Sequence, residues 1–277
     1  MATLLLTGAT GYLGAGVFAA LKCHGADCDR LHERLENLEP GALAQYDRVI
    51  HAAGAPRYRG QPAIDTANRV GTERLLAALA PDAAVLFISS RLVYGHRSGR
   101  CCSENEPTIP ADDYGRAKLA AEQAISGSGR EHVILRIPGL IGDSPAGIGH
   151  NFLAHALQAF SRNREVIRHV PDRIHDNLDV QALAQLCADW GTAARRLPAG
   201  VSNLGGTPRS LHGTLAAFAL EAERHGARPT FIDQVQPEMP WPLMDDQRLR
   251  EAVGEIRERS DEEIAAACWA YLRRAQE

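Results

Sequence analysis

The sequence predicts an α/β fold in which helices cover both faces of a doubly wound parallel sheet. Two observations predict it: short apolar runs alternate with helical patterns over the first 140 residues, and a glycine-rich turn joins the first run to the first helix. Strands that alternate with helices pair in parallel, and their carboxyl ends lie along one edge of the sheet. Ligands bind at that edge, so the residues after each run are the candidate site.

The predicted elements follow one another in a regular order. The strands are the runs TLLLT, CDRLH, RVIHAAG, AVLFISS and HVILRIPG, and helices are expected after Gly11, over 63–80 and over 112–126. Beyond residue 140 we expect Gly- and Pro-rich segments, an amphipathic stretch at 150–161, the short run EVIRHV and two C-terminal amphipathic helices. Ser260 and Glu263 have the spacing of a capping box at the start of the last helix.

The stretch LLLTGATGYLG, residues 4–14, predicts a dinucleotide site. Gly8, Gly11 and Gly14 allow a sharp turn, let the backbone approach a pyrophosphate, and let the helix pack closely on its strand. The alternative is a glycine-rich turn that binds nothing. We expect a Rossmann-type NAD(P)-binding domain at 1–140 and a smaller, mainly substrate-binding region at 141–277, with 201–206 rejoining the sheet.

Composition excludes several other classes of protein. The net charge of −4 gives no general attraction to nucleic acid or to an acidic membrane surface, and no apolar run is long enough to span a membrane. The six cysteines have no CxxC spacing, so we expect no metal site. Unpaired cysteines suit a reducing compartment, which predicts a soluble cytoplasmic protein.

Two further stretches supply candidate catalytic groups. In YGRAK, Tyr114 and Lys118 are four residues apart and share one helix face, where the ammonium can lower the pKa of the phenol. A tyrosine needs about three pKa units of help, about 4 kcal/mol, to exchange a proton near neutrality. In FISSRLVYG, the Ser90 hydroxyl at a strand end can stabilise charge that develops on a substrate oxygen. The alternatives are a surface helix pair and a turn serine.

In this order the motifs resemble those of the extended short-chain dehydrogenase/reductase family, the NAD-dependent epimerases and dehydratases. The resemblance covers most of the chain, and the matching segments are TGATGYLG, HAAG, NRVGTERLL, SSRLVYG, YGRAKLAAE, LRIPGLIG and RIHDNLDV. It implies that Tyr114 exchanges the proton of a sugar hydroxyl, that Lys118 lowers the pKa of Tyr114 and holds a ribose, and that Ser90 orients the oxygen. The implied cofactor contacts are Gly8, Thr10, Gly11, Tyr12, Leu13, Gly14, Ala52, Ala53, Gly54, Tyr114, Lys118, Ile137 and Pro138.

The resemblance also implies substrate contacts from Ser90, Arg91, Asn151 and Arg173. Arg173 matches an arginine that grips the phosphate of a nucleotide-sugar, and Asp179 precedes the next helix. Arg91 is unusual beside the serine: it could meet a carboxylate or phosphate of the substrate, or point away into solvent or a salt bridge.

The positions after Ser90 narrow the reaction. Dehydratases of the family place an Asp-Glu pair there, and decarboxylating members keep the Glu, whereas this chain has Arg91 and Leu92. The resemblance therefore implies epimerisation through a transient ketone, or ketone reduction or alcohol oxidation. The substrate it implies is a nucleotide-sugar. A reductase of a small non-nucleotide ketone or aldehyde and a non-catalytic dinucleotide-binding sensor stay open, although sensors of this kind typically lose the Tyr or the Lys.

The second predicted strand leaves the cofactor ambiguous. It ends at His32-Glu33-Arg34, where an acid accepts from the ribose hydroxyls of NAD and an arginine faces the 2′-phosphate of NADP. Glu33 could serve the first and Arg34 the second, with help from Arg30, which favours NADP slightly. Relatives often dimerise through the two helices represented here by 63–80 and 112–126, so we expect a homodimer.

Overall fold

The fold, in a computed structural model that describes residues 3–97, 100–235 and 242–275, is built on a central sheet. The strands of the described residues, in chain order and including those outside the central sheet, are β1 (Leu4–Thr7), β2 (Asp29–Arg30), β3 (Arg48–His51), β4 (Ala84–Ser90), β5 (Cys101–Cys102), β6 (His132–Ile137), β7 (Leu140–Ile141), β8 (Glu165–Val170), β9 (Ile174–His175), β10 (Leu178–Asp179), β11 (Gly200–Asn203), β12 (Arg209–Ser210), β13 (Thr230–Val235) and β14 (Leu243–Met244).

Helices connect these strands and cover the sheet. The predicted helix at 63–80 contains a π-helical turn, Thr66–Val70, and ends at Ala78. The helices are α1 (Tyr12–Cys23), α2 (Ala63–Asp65), α3 (Gly71–Ala78), α4 (Asp113–Gly127), α5 (Phe152–Phe160), α6 (Val180–Gly191), α7 (Leu211–Arg224), α8 (Gln247–Val253) and α9 (Asp261–Arg274).

The central sheet has six parallel strands in the order β2-β1-β3-β4-β6-β11. The chain leaves β1 in one direction to form β2 and returns on the other side to form β3, so the strand order reverses between β1 and β3. The predicted doubly wound Rossmann-type fold is confirmed. Such a reversal opens a crevice at the carboxyl ends of these two strands, which is where dinucleotides bind in this architecture.

Helices on both faces explain why the inner strands of the central sheet, such as β1 and β4, are largely apolar. In β1, Leu4 and Leu6 pack with α1 and α6 on one face, whereas Leu5 packs with α3 and α4 on the other. Strands buried on both faces lose the alternation of apolar and polar residues that half-exposed strands have. The strand β2 is shorter than the predicted run, although the Leu31 amide still donates to the Leu6 carbonyl at 3.0 Å.

A second apolar core lies in the C-terminal half of the chain. Helices α5, α7 and α9 enclose it, and its largest members are Leu157, Phe160, Phe218, Ile264 and Trp269. The capping box predicted for Ser260 and Glu263 is present at the start of α9. The division of the chain at residue 140 stays a prediction. None of the helices in the described ranges combines the length and hydropathy needed to cross a bilayer.

An arginine ties the start of α9 to the start of α6. Arg259 Nε and Nη2 lie 2.8 and 2.7 Å from the two carboxylate oxygens of Asp179, and its Nη1 lies 2.7 Å from Asp143 Oδ1. Asp179 is 1% exposed and caps α6 by accepting from the Gln181 amide. The second core is therefore attached to the sheet by a largely buried ion pair.

We expect Arg259→Met to lower the free energy of unfolding by about 3 kcal/mol, because it leaves the buried Asp179 carboxylate without its cation. Urea unfolding followed by circular dichroism measures the change. Arg257→Met is the control, since Arg257 is exposed and its substitution should cost less than about 0.5 kcal/mol. Equal losses in the two variants would contradict the expectation.

Candidate active site

The glycine-rich turn after β1 is packed too closely to carry side chains at two positions. Gly8 has a φ of +72°, and a Cβ there would lie 2.7 Å from the Ala53 backbone. A Cβ on Gly14 would lie 2.0 Å from the Gly8 carbonyl oxygen. The turn therefore presses the first residues of α1 against the ends of β1 and β3, at the crevice where the strand order reverses.

The start of α1 is suited to an anionic ligand. Gly11 is the N-cap residue and supplies no side-chain cap, and the first turn contains no acidic residue, so its amide groups are not neutralised locally. The residues present thus fit the pyrophosphate of a dinucleotide. Thr10 is exposed beside the turn, and Leu13 is partly buried. The Tyr12 hydroxyl donates to the Gly142 carbonyl at 2.7 Å and ties the turn to the segment after β7.

A chain of buried polar groups fixes the end of β3. The Thr72 hydroxyl donates to the Asn68 carbonyl, so His51 Nε2 is left to donate to Thr72 and His51 Nδ1 to accept from Thr7. Burial, assisted by the Lys118 charge, lowers the pKa of His51 to about 3, so the ring is neutral. Thr7 in turn accepts from the Ala53 amide at 3.2 Å, which holds the predicted Ala52–Gly54 cofactor segment beside the turn.

Gly54, Asn68 and Lys118 meet at this end of the crevice. A Cβ on Gly54 would lie 2.4 Å from Asn68 Oδ1 and 3.5 Å from Lys118 Nζ. The Asn68 Nδ2 group donates to the carbonyls of Ala55 and Ile64, whereas Oδ1 is buried and has no hydrogen-bond partner in the described part of the chain. An unpaired acceptor beside an ammonium suits the hydroxyls of a cofactor ribose.

The candidate catalytic residues converge where α4 crosses the end of β4. Lys118 Nζ donates to the Ile88 carbonyl at 3.0 Å and lies 5.9 Å from the centre of the Tyr114 ring. Gly115 approaches the Leu92 carbonyl so closely that a Cβ would lie 2.6 Å from its oxygen. Ser90 ends β4, and its hydroxyl accepts from the Leu92 amide at 3.2 Å. Tyr114 and Lys118 thus lie on α4 beside the end of β4, which carries Ser90, and the catalytic roles of the three residues stay predictions.

Burial sets the protonation states of this group. It raises the pKa of Tyr114 to about 12, with a further increase from the Asp112 carboxylate, so the phenol is protonated at neutral pH. Burial lowers the pKa of Lys118 to about 8, and Glu122 opposes that shift. Arg57 Nε lies 2.8 Å from Asp112 Oδ2 and offsets part of the negative charge near the phenol.

A cavity of about 190 Å³ lies on the substrate side of this group. Its polar lining holds two arginines, two histidines and two asparagines, and no acid is among the described residues that line it. The cavity therefore suits a ligand that has both an anionic and an apolar part. Its lining residues are Arg91, Asn151, Phe152, Leu153, His169, Arg173, Ile174, His175, Asn177, Leu211 and Leu243.

Of the predicted substrate residues, Arg91, Asn151 and Arg173 line this cavity, whereas Ser90 is not among its lining residues. Arg91 Nη1 lies 2.5 Å from Oδ1 of Asp176, which is 1% exposed, so the salt-bridge alternative for Arg91 is the one observed. Asn151 caps α5 by accepting from the Ala154 amide at 2.8 Å, and its Nδ2 donates to the Leu140 carbonyl. Their roles in substrate binding, and that of Arg173, stay predictions.

The remaining predicted cofactor residues lie along the same edge of the sheet. Ile137 is paired with Ser90 across β6 and β4, and Pro138 follows it in a buried position. Glu33 and Arg34 are exposed just beyond β2, and Arg34 Nη1 lies 3.5 Å from Glu36 Oε1. Both thus remain accessible to a ligand at the adenosine end of the crevice.

Sequence reasoning missed three charged residues that the structure places at the site. Glu122 could have been found because it follows Lys118 by four residues on a helix. Asp112 could have been found as the N-cap of the same helix. Asp176 carries no comparable signal, because its partner Arg91 is 85 residues away in the chain.

A tyrosine and a lysine on one helix, facing the edge of a sheet whose first turn fits a pyrophosphate, define an enzyme of the NAD(P)-dependent short-chain dehydrogenase/reductase class. A family model described as the RmlD substrate binding domain matches residues 1–200. The chain belongs to this family, and its membership of the extended short-chain dehydrogenases/reductases, indicated by the motifs, is confirmed.

Individual relatives are similar over different lengths. dTDP-6-deoxy-L-talose 4-dehydrogenase (NAD(P)(+)) of Kitasatospora kifunensis is 26% identical over an alignment of 308 positions that covers 97% of this chain and 95% of the relative. A UDP-glucose 4-epimerase of Azospirillum brasilense is 28% identical over 52% of this chain and 51% of its own. The Bordetella bronchiseptica enzyme WbmH, solved with NAD+, has the same fold, with a TM-score of 0.82 at 19% identity over 99% of each chain.

We expect Lys118 to lose its proton near pH 8, because its ammonium is buried. The chain has two lysines, Lys22 and Lys118, so ¹³C NMR of protein labelled at lysine Cε gives two signals. Lys22→Arg assigns them, and Lys22, which is exposed, serves as the internal reference. A Lys118 midpoint near that of a free lysine, about 10.4, would contradict the expectation.

Proposed function

We propose that the protein is an NAD(P)-dependent oxidoreductase or epimerase that transfers a hydride to or from a ketone or hydroxyl of a nucleotide-sugar. The proposed reaction is reduction of a 4-keto group or epimerisation, and not dehydration. The observation that carries the proposal is the convergence of Ser90, Tyr114 and Lys118 beside the crevice that fits a dinucleotide. Arg91 and Leu92 occupy the two positions at which dehydratases of the family have an Asp-Glu pair, which argues against elimination of water.

In the proposed reduction, Ser90 and Tyr114 bind the ketone oxygen and hold it at the carboxyl edge of the sheet. When bound, the nicotinamide supplies the hydride to the carbonyl carbon. Negative charge then develops on the oxygen, and Tyr114, which is protonated at neutral pH, donates its proton there. The Lys118 ammonium stabilises the phenolate that remains, and the product is an alcohol. Oxidation and the first half of an epimerisation follow the reverse path.

The cavity supports a nucleotide-sugar as the substrate. Arg173 and His169 offer positive or polar groups to a phosphate, while Phe152, Leu211 and Leu243 offer apolar walls. The relatives from K. kifunensis and A. brasilense act, by their names, on a dTDP-sugar and on UDP-glucose. The K. kifunensis relative, whose alignment covers 97% of this chain, is by its name a 4-dehydrogenase, which favours oxidation or reduction over epimerisation.

We expect Tyr114→Phe to lower kcat for reduction of a 4-keto nucleotide-sugar at least about 100-fold, because the proton donor is lost. NADPH consumption followed by absorbance measures the rate, and fluorescence titration checks that NADPH binding changes little. Tyr58→Phe is the control, since Tyr58 is 66% exposed. Transient reduction of a tightly retained NAD, without net consumption, would indicate epimerisation instead.

We expect Arg173→Ala to raise KM for the nucleotide-sugar about ten- to 100-fold with little change in kcat, because a charged contact to phosphate is lost. Arg164→Ala is the matched control, since Arg164 is exposed and does not line the cavity. An unchanged KM would favour the second candidate, a reductase of a small ketone or aldehyde. Turnover of any substrate would exclude a purely non-catalytic sensor.

We propose NADP as the slightly preferred cofactor, through Arg34. We expect Arg34→Ala to weaken NADPH binding about tenfold, or about 1.4 kcal/mol, and to leave NADH binding unchanged. Glu33→Ala should instead weaken NADH binding, because Glu33 is the candidate partner of the ribose hydroxyls. Titrations of both variants with both nucleotides distinguish these outcomes, and loss of NADH binding alone in Arg34→Ala would contradict the preference.

Two further proposals concern the oligomeric state of the enzyme and its place and partners in the cell. We propose that it forms a homodimer through the helices within 63–80 and 112–126, as relatives of the family often do. We also propose that it acts in the cytoplasm, which the free state of its six cysteines supports. The net charge of −4 supports the proposal that it has no nucleic-acid or acidic-membrane partner.

A further inference from the structure

A carboxylate that the proposed mechanism does not use lies directly behind Lys118. Glu122 is 3% exposed and follows Lys118 by one turn of α4. Its Oε2 lies 2.7 Å from Nη2 of Arg136 on β6, and its Oε1 lies 3.1 Å from Arg136 Nε. Two charges buried in this way are costly unless they are paired and hydrogen-bonded, and replacing such a pair by apolar side chains is often neutral for stability.

Glu122 also binds the strand that carries Ser90. The Ser89 hydroxyl donates to Glu122 Oε1, and Lys118 Nζ donates to the carbonyl of the preceding residue, Ile88, at 3.0 Å. Two residues on one face of α4 thus bind two successive residues of β4, and Ser90 comes next. Because of these contacts, α4 cannot shift along β4 without breaking a buried hydrogen bond.

Arg136 is held firmly on its other side. Its Nη1 donates to the Tyr94 hydroxyl at 3.0 Å, and Tyr94 donates to Asn203 Oδ1 at 2.8 Å. The Asn203 amide continues the chain to the Cys102 carbonyl at 2.8 Å. The Arg136 guanidinium is therefore held on one side by Tyr94, which follows β4 and is itself held by Asn203 of β11. On its other side it holds the Glu122 carboxylate.

The charges around Lys118 are few. His51 of β3 is neutral because it is buried, and Tyr114 of α4 is protonated. Arg136 carries a positive charge that Glu122 balances. Asp112, at the N-terminus of α4, acts on Tyr114. In the described ranges, Glu122 is the acid whose charge favours the protonated form of Lys118.

We propose that Glu122 is a positioning residue of the candidate active site, whose carboxylate anchors α4 to the end of β4 and places a negative charge one helical turn from the Lys118 ammonium. Its meaning for catalysis rests on the proposed function, whereas its effect on Lys118 is a property of the protein alone. A charged Lys118 is needed both to bind a ribose hydroxyl and to stabilise the Tyr114 phenolate.

The test is the proton affinity of Lys118 in Glu122→Gln. Glutamine keeps the size of the side chain and an acceptor for Ser89, but it removes the charge. We expect the Lys118 midpoint, measured by the ¹³C signal of its Cε, to fall by about one pH unit, a tenfold weaker proton affinity. The Lys22 signal in the same sample should not move.

A second variant guards against misfolding. Glu122→Gln combined with Arg136→Gln leaves no unpaired buried charge. The Lys118 midpoint should still fall, but by less than in Glu122→Gln, because the second substitution also removes the positive charge of Arg136. Asp233→Asn is the matched control: it breaks the exposed pair of Asp233 with Arg168, on β13 and β8, and should leave the midpoint unchanged.

The outcomes separate this inference from the proposed function. If the Lys118 midpoint stays within about 0.2 pH units of the wild type in both Glu122 variants, Glu122 has only a structural role. If the midpoint falls, the pH above which NADPH affinity declines should fall with it. A wild-type protein that binds neither NADPH nor NADH would overturn the proposed function, while the NMR titration would still decide on Glu122.

Discussion

The close contact between α4 and the end of β4 is the constraint on which the candidate active site depends. Three residues of one helix face make it: Gly115 lies against the Leu92 carbonyl, Lys118 binds the Ile88 carbonyl, and Glu122 accepts from Ser89. The two hydrogen bonds are buried and directional and fix the register of helix and strand, while the glycine allows their close approach. This contact therefore sets the position of the Ser90 hydroxyl relative to the Tyr114 phenol.

Local patterns in the sequence predicted the sheet and its edge, because strands buried on both faces give continuous apolar runs. The tight turn after the first strand likewise requires glycines at a regular spacing. The same patterns predicted Ser90, Tyr114 and Lys118 as catalytic candidates at that edge. They did not predict that Asp176 holds Arg91 or that Arg136 holds Glu122, because these pairs join residues 85 and 14 positions apart whose meeting depends on tertiary packing. Nor did they predict that β2 shortens to two residues at the edge of the sheet.

The ion pairs of the molecule divide into two kinds. Exposed pairs, such as Arg69 with Asp65 and Glu73 or Arg168 with Asp233, contribute little to stability. Buried pairs join different elements: Arg136 with Glu122 connects β6 to α4, and Arg259 with Asp179 connects the start of α9 to the start of α6. The protein thus uses buried charge where elements must meet in one geometry, and the apolar cores supply the cohesion.

The sixth strand of the sheet has a consequence for how the chain is made. Strand β11 pairs with β6, but the two strands are separated in the chain by more than 60 residues, which form the substrate side. Until residue 203 has left the ribosome, β6 has an open edge with unpaired amide and carbonyl groups, which is a surface prone to aggregation. A chain stopped short of β11 would therefore be a poor starting point for a soluble minimal cofactor-binding fragment.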